Sequence, residues 1–183
     1  MTTTTIQQIL TTARPQLKEL LKVSNDLALP RFTKVIVTSG VGRIKDKKRL
    51  DFIADRLAKI TGQKAAIRGA KKSIASFKIR QGEPAGFMVT LRGPRMYGFL
   101  NKLFNIAIPR IRDFRGFAET SIDEMGNLSL GIKEHTIFPE TADEELKDIF
   151  GLNITLVTTA KNRTSALAFF RATGFPFKDQ KVK

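Results

Sequence analysis

The 183-residue chain has no cysteine, no tryptophan, one tyrosine and one histidine. Without cysteine there can be neither a disulfide framework nor a thiolate metal site, and a reducing compartment is expected. A single imidazole, His135, leaves little for catalysis, because a nucleophilic triad needs a histidine oriented by an acid. Its neighbour Glu134 would face the opposite way on a strand, so His135 is expected at the surface or as a cap rather than as a catalyst. No segment approaches the ~18–20 apolar residues that a membrane span requires. Met1–Thr5 lacks the basic-then-apolar layout of a signal peptide, so a cytosolic protein is expected. Negative charge is scarce as well: 17 Asp+Glu stand against 32 Lys+Arg, a net +15. With 42% hydrophobic residues, 14 of them Phe, the chain has material for a real core. One domain over residues 1–183 is expected, with tails at 1–5 and 178–183.

The charge is unevenly distributed. Residues 31–115 hold a net +16, whereas residues 116–153 hold −7. Cations at that density repel one another unless a polyanion offsets them, and a nucleic-acid backbone does so best, through counterion release.

Hydrophobic spacing places an amphipathic helix over residues 5–23, with Pro15 expected to kink it or break it in two. Phe32–Thr38 reads as a strand, and Asp46 as the N-cap of a helix that ends at Gly62. A short strand is expected at Ala65–Arg68, a long basic loop or hairpin tip over residues 69–84, and a strand at Phe87–Leu91. Gly93-Pro94 opens a helix that Pro109 stops. Met125-Gly126-Asn127 signals a turn before a strand at Leu128–Ile132, a last strand covers Asn153–Thr159, and a helix over 163–173 closes the chain at Gly174. None of the strands is the all-apolar run of a parallel sheet. The expected class is α+β, with a mostly antiparallel sheet of about five strands, helices on one face, and the long basic loop.

Few segments invite a catalytic reading. Gly40-Val41-Gly42 lies between a strand and a helix, but the third glycine of a dinucleotide fingerprint is replaced by Lys45, and there is no P-loop. Glycines there, followed by Arg43, Lys45, Lys47 and Lys48, suit RNA phosphate as well as a mononucleotide. The acidic cluster Glu140, Asp143, Glu144, Glu145 and Asp148 lacks the spacing and central glycine of a calcium loop, so no metal and no cofactor are expected. Binding has better material. Residues 71–80 interleave Lys71, Lys72, Lys78 and Arg80 with Ser73, Ser76 and Phe77, and residues 109–117 set Arg110, Arg112 and Arg115 around Phe114. Cations beside aromatic planes are what phosphate contact and unstacked bases call for, although either Phe could equally belong to the core.

Several strings then point to one family: GQK at 62–64, AKKSIASFKIRQG at 70–82, VTLRG at 89–93, MYGFL at 96–100 and IPRIRDFRGF at 108–117. With GNLSLGIKEHTIFPE at 126–140 and ITLVTTAK at 154–161, the chain resembles the bacterial large-subunit ribosomal protein L-five family over about residues 13–177. The resemblance implies a non-enzymatic RNA-binding protein of the large ribosomal subunit. It would attach 5S rRNA to the central protuberance, touch 23S rRNA and neighbouring proteins there, contact the peptidyl-site tRNA and bridge to a small-subunit head protein. It implies 5S rRNA binding by Thr38, Arg43, Lys47, Gln63, Lys64, Thr90 and Arg92, and tRNA contact by Lys71, Lys72, Ser73, Phe77, Lys78 and Arg80. Arg110, Arg112 and Arg115 would touch rRNA, and Glu140, Asp143, Glu144 and Glu145 would serve the bridge. The family usually has Asn-Met where Thr38-Ser39 stands, so a side-chain amide is lost there, and Ser76 replaces a usual loop glycine. A free RNA- or tRNA-binding factor and a small nucleotide-binding enzyme built on Gly40–Lys48 remain the alternatives.

Overall fold

In the computed structural model the described residues are 5–141 and 149–178. Four helices and five strands follow in the order α1 (Ile6–Leu21), β1 (Phe32–Gly40), α2 (Lys47–Thr61), β2 (Ala66–Gly69), β3 (Pro84–Leu91), α3 (Gly93–Lys102), β4 (Leu128–Ile132), β5 (Leu152–Thr158) and α4 (Arg163–Ala172). The strands form one open antiparallel sheet in the order β2-β3-β1-β5-β4, which bears out the expected α+β class. The chain divides into two compact units: one of residues 1–35, 92–130 and 155–183, the other of 36–91 and 131–154.

In the first unit α1 begins with a capping box: Gln8 N–H donates to Thr5 Oγ1, and Thr5 N–H donates to Gln8 Oε1. The expected break at Pro15 does not occur, for Ile6–Leu21 is one helix. Its buried stripe Ile6, Ala13 and Leu17 spans both sides of the proline, and α1 packs on α3 and α4. Ile6 N–H also donates to Asn101 Oδ1 at 2.7 Å. Packing along the whole length compensates for one absent N–H, so tertiary structure overrides the local breaker. The core of this unit is aromatic. Phe32, Phe169, Phe170 and Phe175 are buried, and Phe32 meets Phe169 edge-on at 5.0 Å between ring centroids. Such edge-to-face pairs add about 0.5–1.5 kcal/mol each beyond their buried area.

In the second unit α2 starts as expected at Asp46, whose Oδ1 accepts from Lys48 N–H at 3.0 Å, and ends at Gly62 in the left-handed region. Ile53, Leu57 and Ile60 form its buried stripe. β2 and β3 pair with Ala66 opposite Met88 and Arg68 opposite Gly86.

Each long strand alternates between buried and less buried positions. Val35, Val37 and Ser39 are buried on β1, Phe87, Val89 and Leu91 on β3, and Leu152, Ile154, Leu156 and Thr158 on β5. Period-two burial means one covered sheet face and one that meets solvent.

Candidate nucleic-acid interface

The solvent-facing side of the sheet in the second unit carries Ile36 and Thr38 from β1, Gly86, Met88 and Thr90 from β3, and Asn153 from β5. Thr38 Oγ1 donates to the Asn153 carbonyl at 3.3 Å, which joins adjacent strands and leaves the hydroxyl lone pairs as acceptors. Arg68 lies on the same face: it stands opposite Gly86, and its guanidinium reaches Met88 Sδ at 4.0 Å. Antiparallel pairing sets the start of β2 beside the end of β3, so the chain entering β2 through Gln63 and exposed Lys64 runs toward the end that carries Thr90. Gln63 is fixed from behind. Thr61, buried at the end of α2, donates from Oγ1 to the carbonyls of Leu57 at 2.7 Å and Gln63 at 3.1 Å, and accepts from Gln63 N–H. Arg92 is the exposed N-cap of α3, the residue after β3, in the other unit.

The β1–α2 connection sits at one end of this face. Val41 is buried, its N–H donates to the Ala85 carbonyl at 3.0 Å, and Ile44 N–H closes a turn on the Val41 carbonyl at 2.8 Å. At Gly42 an added Cβ would stand 3.3 Å from Ile79 Cδ1, so the turn lies against the base of the basic loop, with Arg43 exposed upon it. Lys47 is exposed in the first turn of α2. The Asp46 cap places a carboxylate where a nucleotide phosphate would have to approach that helix, which removes the support for a nucleotide-binding enzyme.

Residues 70–82 are a folded lobe rather than a slack loop. Ala70 and Gly82 tie its neck, through Ala70 N–H to Glu83 O at 2.8 Å and Gly82 N–H to Ala70 O at 3.0 Å. Ile74 and Ile79 exchange N–H···O bonds at 3.0 and 3.3 Å, and Ala75–Phe77 forms a 3-10 turn between them. Lys78 takes φ +52° to close that turn, and Gln81 N–H donates to Ser73 Oγ at 2.9 Å. Ser73 thus accepts one bond within the loop and keeps its O–H as a donor. Lys71, Lys72, Lys78 and Arg80 are exposed, and Phe77, which could have been core, is 67% exposed at the tip. An exposed aromatic ring among four cations provides a stacking plane with phosphate partners.

The second aromatic-basic cluster divides its labour differently. Arg110, Arg112 and Arg115 are exposed, whereas Phe114 packs edge-on against Phe117 at 5.0 Å. Phe114 anchors the loop and the arginines face water.

His135 is not the surface or capping residue that was expected. It is fully buried, stacked on Phe150 at 4.0 Å and 13°, and its Nδ1 accepts from Phe150 N–H at 3.4 Å. Hydrogen bonding and stacking explain this placement, which is structural. Of the acidic bridge candidates, Glu140 is exposed on a short 3-10 turn, Pro139–Thr141, and Asp143, Glu144 and Glu145 lie outside the described residues. Among the described residues no cluster of three metal-ligating side chains exists, and no helix is long and apolar enough to cross a membrane.

Met88, Asn153 and Arg68 share the sheet face with the expected Thr38 and Thr90, and sequence reasoning passed over them. The signal was present as the polar phase of each alternating strand.

Two family models match the chain: "Ribosomal protein L5" over residues 25–80, and the model of that ribosomal family's C-terminus over residues 84–177. Among curated relatives, the large ribosomal subunit protein uL5 of Acaryochloris marina is 47% identical over 171 residues, covering 93% of this chain and 94% of the relative. The protein of the same name from Trichlorobacter lovleyi is 51% identical, covering 85% and 87%, and that from Halothermothrix orenii is 46% identical, covering 89% and 92%.

Proposed function

The chain belongs to the bacterial ribosomal protein L5 family and is a structural, non-enzymatic constituent of the large ribosomal subunit in the cytoplasm, and on that premise we propose that it fastens 5S rRNA to the central protuberance through the open face of its sheet. The observation that carries this reading is the alternation on β1 and β3, which turns Thr38 and Thr90 outward while Val35, Val37, Phe87 and Val89 fill the core. Hydroxyls, the Asn153 amide and the Met88 thioether offer hydrogen-bonding and soft apolar contact to RNA sugars and base edges. Gln63 and Lys64 flank that face, and Arg43, Lys47 and Arg92 add charge for phosphate.

The remaining contacts follow the same chemistry. Lys71, Lys72, Lys78 and Arg80 around exposed Phe77 suit the peptidyl-site tRNA, with Ser73 shaping the lobe. Arg110, Arg112 and Arg115 suit ribosomal RNA, 23S included, and the acidic residues from Glu140 through Glu145 suit a basic small-subunit head protein across the subunit interface.

Arg92→Ala tests the reading. The substitution should weaken 5S rRNA binding by about 1–3 kcal/mol, the scale of a lost hydrogen bond to a charged group, and flatten the salt dependence. Unchanged affinity in a filter-binding titration would remove Arg92 from the interface. Deleting Ser73–Arg80 should spare 5S rRNA binding and impair tRNA contact.

A further inference from the structure

The loop that presents Arg110, Arg112 and Arg115 is held from outside its own sequence. Gly174, at φ +74°, turns the chain out of α4, and Phe175 N–H donates to the Phe170 carbonyl at 3.0 Å. The following residues then lie along the arginine loop. Phe117 N–H donates to the Pro176 carbonyl at 2.9 Å, and Lys178 N–H donates to the Phe117 carbonyl at 2.9 Å, which makes a parallel bridge between Phe117 and Phe177. Rings reinforce the backbone. Buried Phe175 meets Phe104 at 5.4 Å, Phe117 at 5.3 Å and Phe177 at 5.0 Å, and Phe117 in turn carries Phe114.

Gly116, between Arg115 and Phe117, is the point of closest approach. It adopts φ +85°, and a Cβ there would stand 2.6 Å from Lys178 N and from Phe177 C. No side chain fits at that position without displacing the C-terminal segment. The arginine loop itself is otherwise short of support. A 3-10 turn covers Ile108–Arg110, Asp113 takes φ +51°, and only a second short 3-10 turn, Glu119–Ser121, stands between the loop and β4. The three guanidiniums make no ion pair among the described residues, so the course of the loop backbone bears on where they can reach.

We propose that Gly174–Lys178 is a strap that pre-positions the arginine loop for ribosomal RNA, with Gly116 and Phe177 as positioning residues. The inference rests on the assignment of Arg110, Arg112 and Arg115 to rRNA made above. A loop ordered before binding does not have to be ordered by binding, so the strap raises affinity without touching RNA itself.

The experiment measures the full chain against 5S and 23S rRNA transcripts and reads both the affinity at fixed salt and the slope of log K against log salt. Replacing Arg110, Arg112 and Arg115 together by Gln sets the scale: three lost phosphate contacts, at roughly 0.7–0.9 each, lower the slope by about 2–3. Phe177→Ala keeps all three arginines, so it should keep the wild-type slope and weaken binding at least about threefold at every salt, and that weakening should vanish in the triple Gln background. A chain ended after Phe175 should show the same weakening when compared with a chain ended after Lys178, and Phe177→Tyr should keep the wild-type affinity. Gly116→Ala should behave as Phe177→Ala; if it fails to fold, the Phe177 variants and the two shortened chains, whose fold is checked by circular dichroism, decide. Wild-type affinity in Phe177→Ala and no difference between the two shortened chains overturn the strap. A wild-type slope in the triple Gln variant overturns the RNA assignment itself, and the strap's purpose with it.

Discussion

Two glycines with nearly the same backbone and opposite surroundings allow strain and crowding to be separated by measurement. Gly126 has φ +79° and Gly174 has φ +74°. A Cβ at Gly174 would meet nothing within 4 Å, whereas at Gly126 it would stand 2.8 Å from Ala160 Cβ and 3.2 Å from both Ala160 O and Ala166 Cβ. Alanine in the left-handed region costs roughly 1–2 kcal/mol, and a stiffer unfolded chain returns about 0.4–1 kcal/mol. Gly174→Ala should therefore cost about 1 kcal/mol or less. Gly126→Ala carries the same strain and adds overlap in a filled site, about 1–3 kcal/mol more. The turn has little room to move, because Thr158 Oγ1 donates to the Gly126 carbonyl at 2.7 Å and Asn127 N–H donates to Asp123 Oδ1 at 2.6 Å. Ala166, on the other side, is a buried residue of α4. The expected total is about 1–4 kcal/mol, which at about 2–4 °C per kcal/mol for a chain of this size is a melting shift of a few degrees or more. Urea midpoints at matched m-values give the comparison directly. Ala160→Gly in the Gly126→Ala background removes the nearest atom and should recover about half of the crowding component. Equal destabilisation by Gly126→Ala and Gly174→Ala would refute the steric argument.

Three further outcomes can be checked with the same protein. Phe77→Ser should leave the urea midpoint within about 0.5 kcal/mol, because the ring is 67% exposed, yet weaken the proposed complex with tRNA by about 1–3 kcal/mol; a large loss of stability would show that the ring packs. Thr61→Val should destabilise by about 1–2 kcal/mol, through the lost bonds to the Leu57 and Gln63 carbonyls, and should weaken 5S rRNA binding as Gln63 loses its support. The Lys18 hydrogen bond and charge hold the Asp26 carboxyl below its ordinary value. A lowered folded pKa gives stability that is present above the unfolded pKa and lost as pH falls through the folded one. Asp26→Asn should thus remove a small acid-side slope from the melting temperature and change little at neutral pH; an unaltered acid profile would contradict the pairing.

What the sequence made legible was what local rules decide. Asp46 as cap, Gly62 as left-handed stop and the β-branched run Phe32–Thr38 are each settled within a turn or a pleat; they stand where expected, with the strand running on to Gly40. No break occurs at Pro15 because a local penalty was outweighed by burial of Ile6, Ala13 and Leu17 against distant helices. His135 was misleading because its partner, Phe150, lies fifteen residues away across a segment with no periodic signal. The candidate interface was half legible. Charge and glycine marked the lobe and the arginine loop, whereas for Arg68, Met88 and Asn153 the sequence carried only the outward phase of each strand, and strand order is what brings them beside Thr38 and Thr90. Residue type alone left Phe77 open between core and surface, and only the family resemblance put it on the presented side, where its ring stands.

The place of β1 in the sheet has a consequence for biosynthesis. It lies between β3 and β5, and Thr38 bonds to a residue 115 positions later. At roughly 5–20 residues per second, one edge of β1 waits about 6–23 s on the translating ribosome before its second neighbour exists. During that interval the nascent chain has the cations for RNA but not the completed surface. Stable attachment to 5S rRNA is therefore expected only near the end of synthesis, when the last strand closes the sheet around its oldest one.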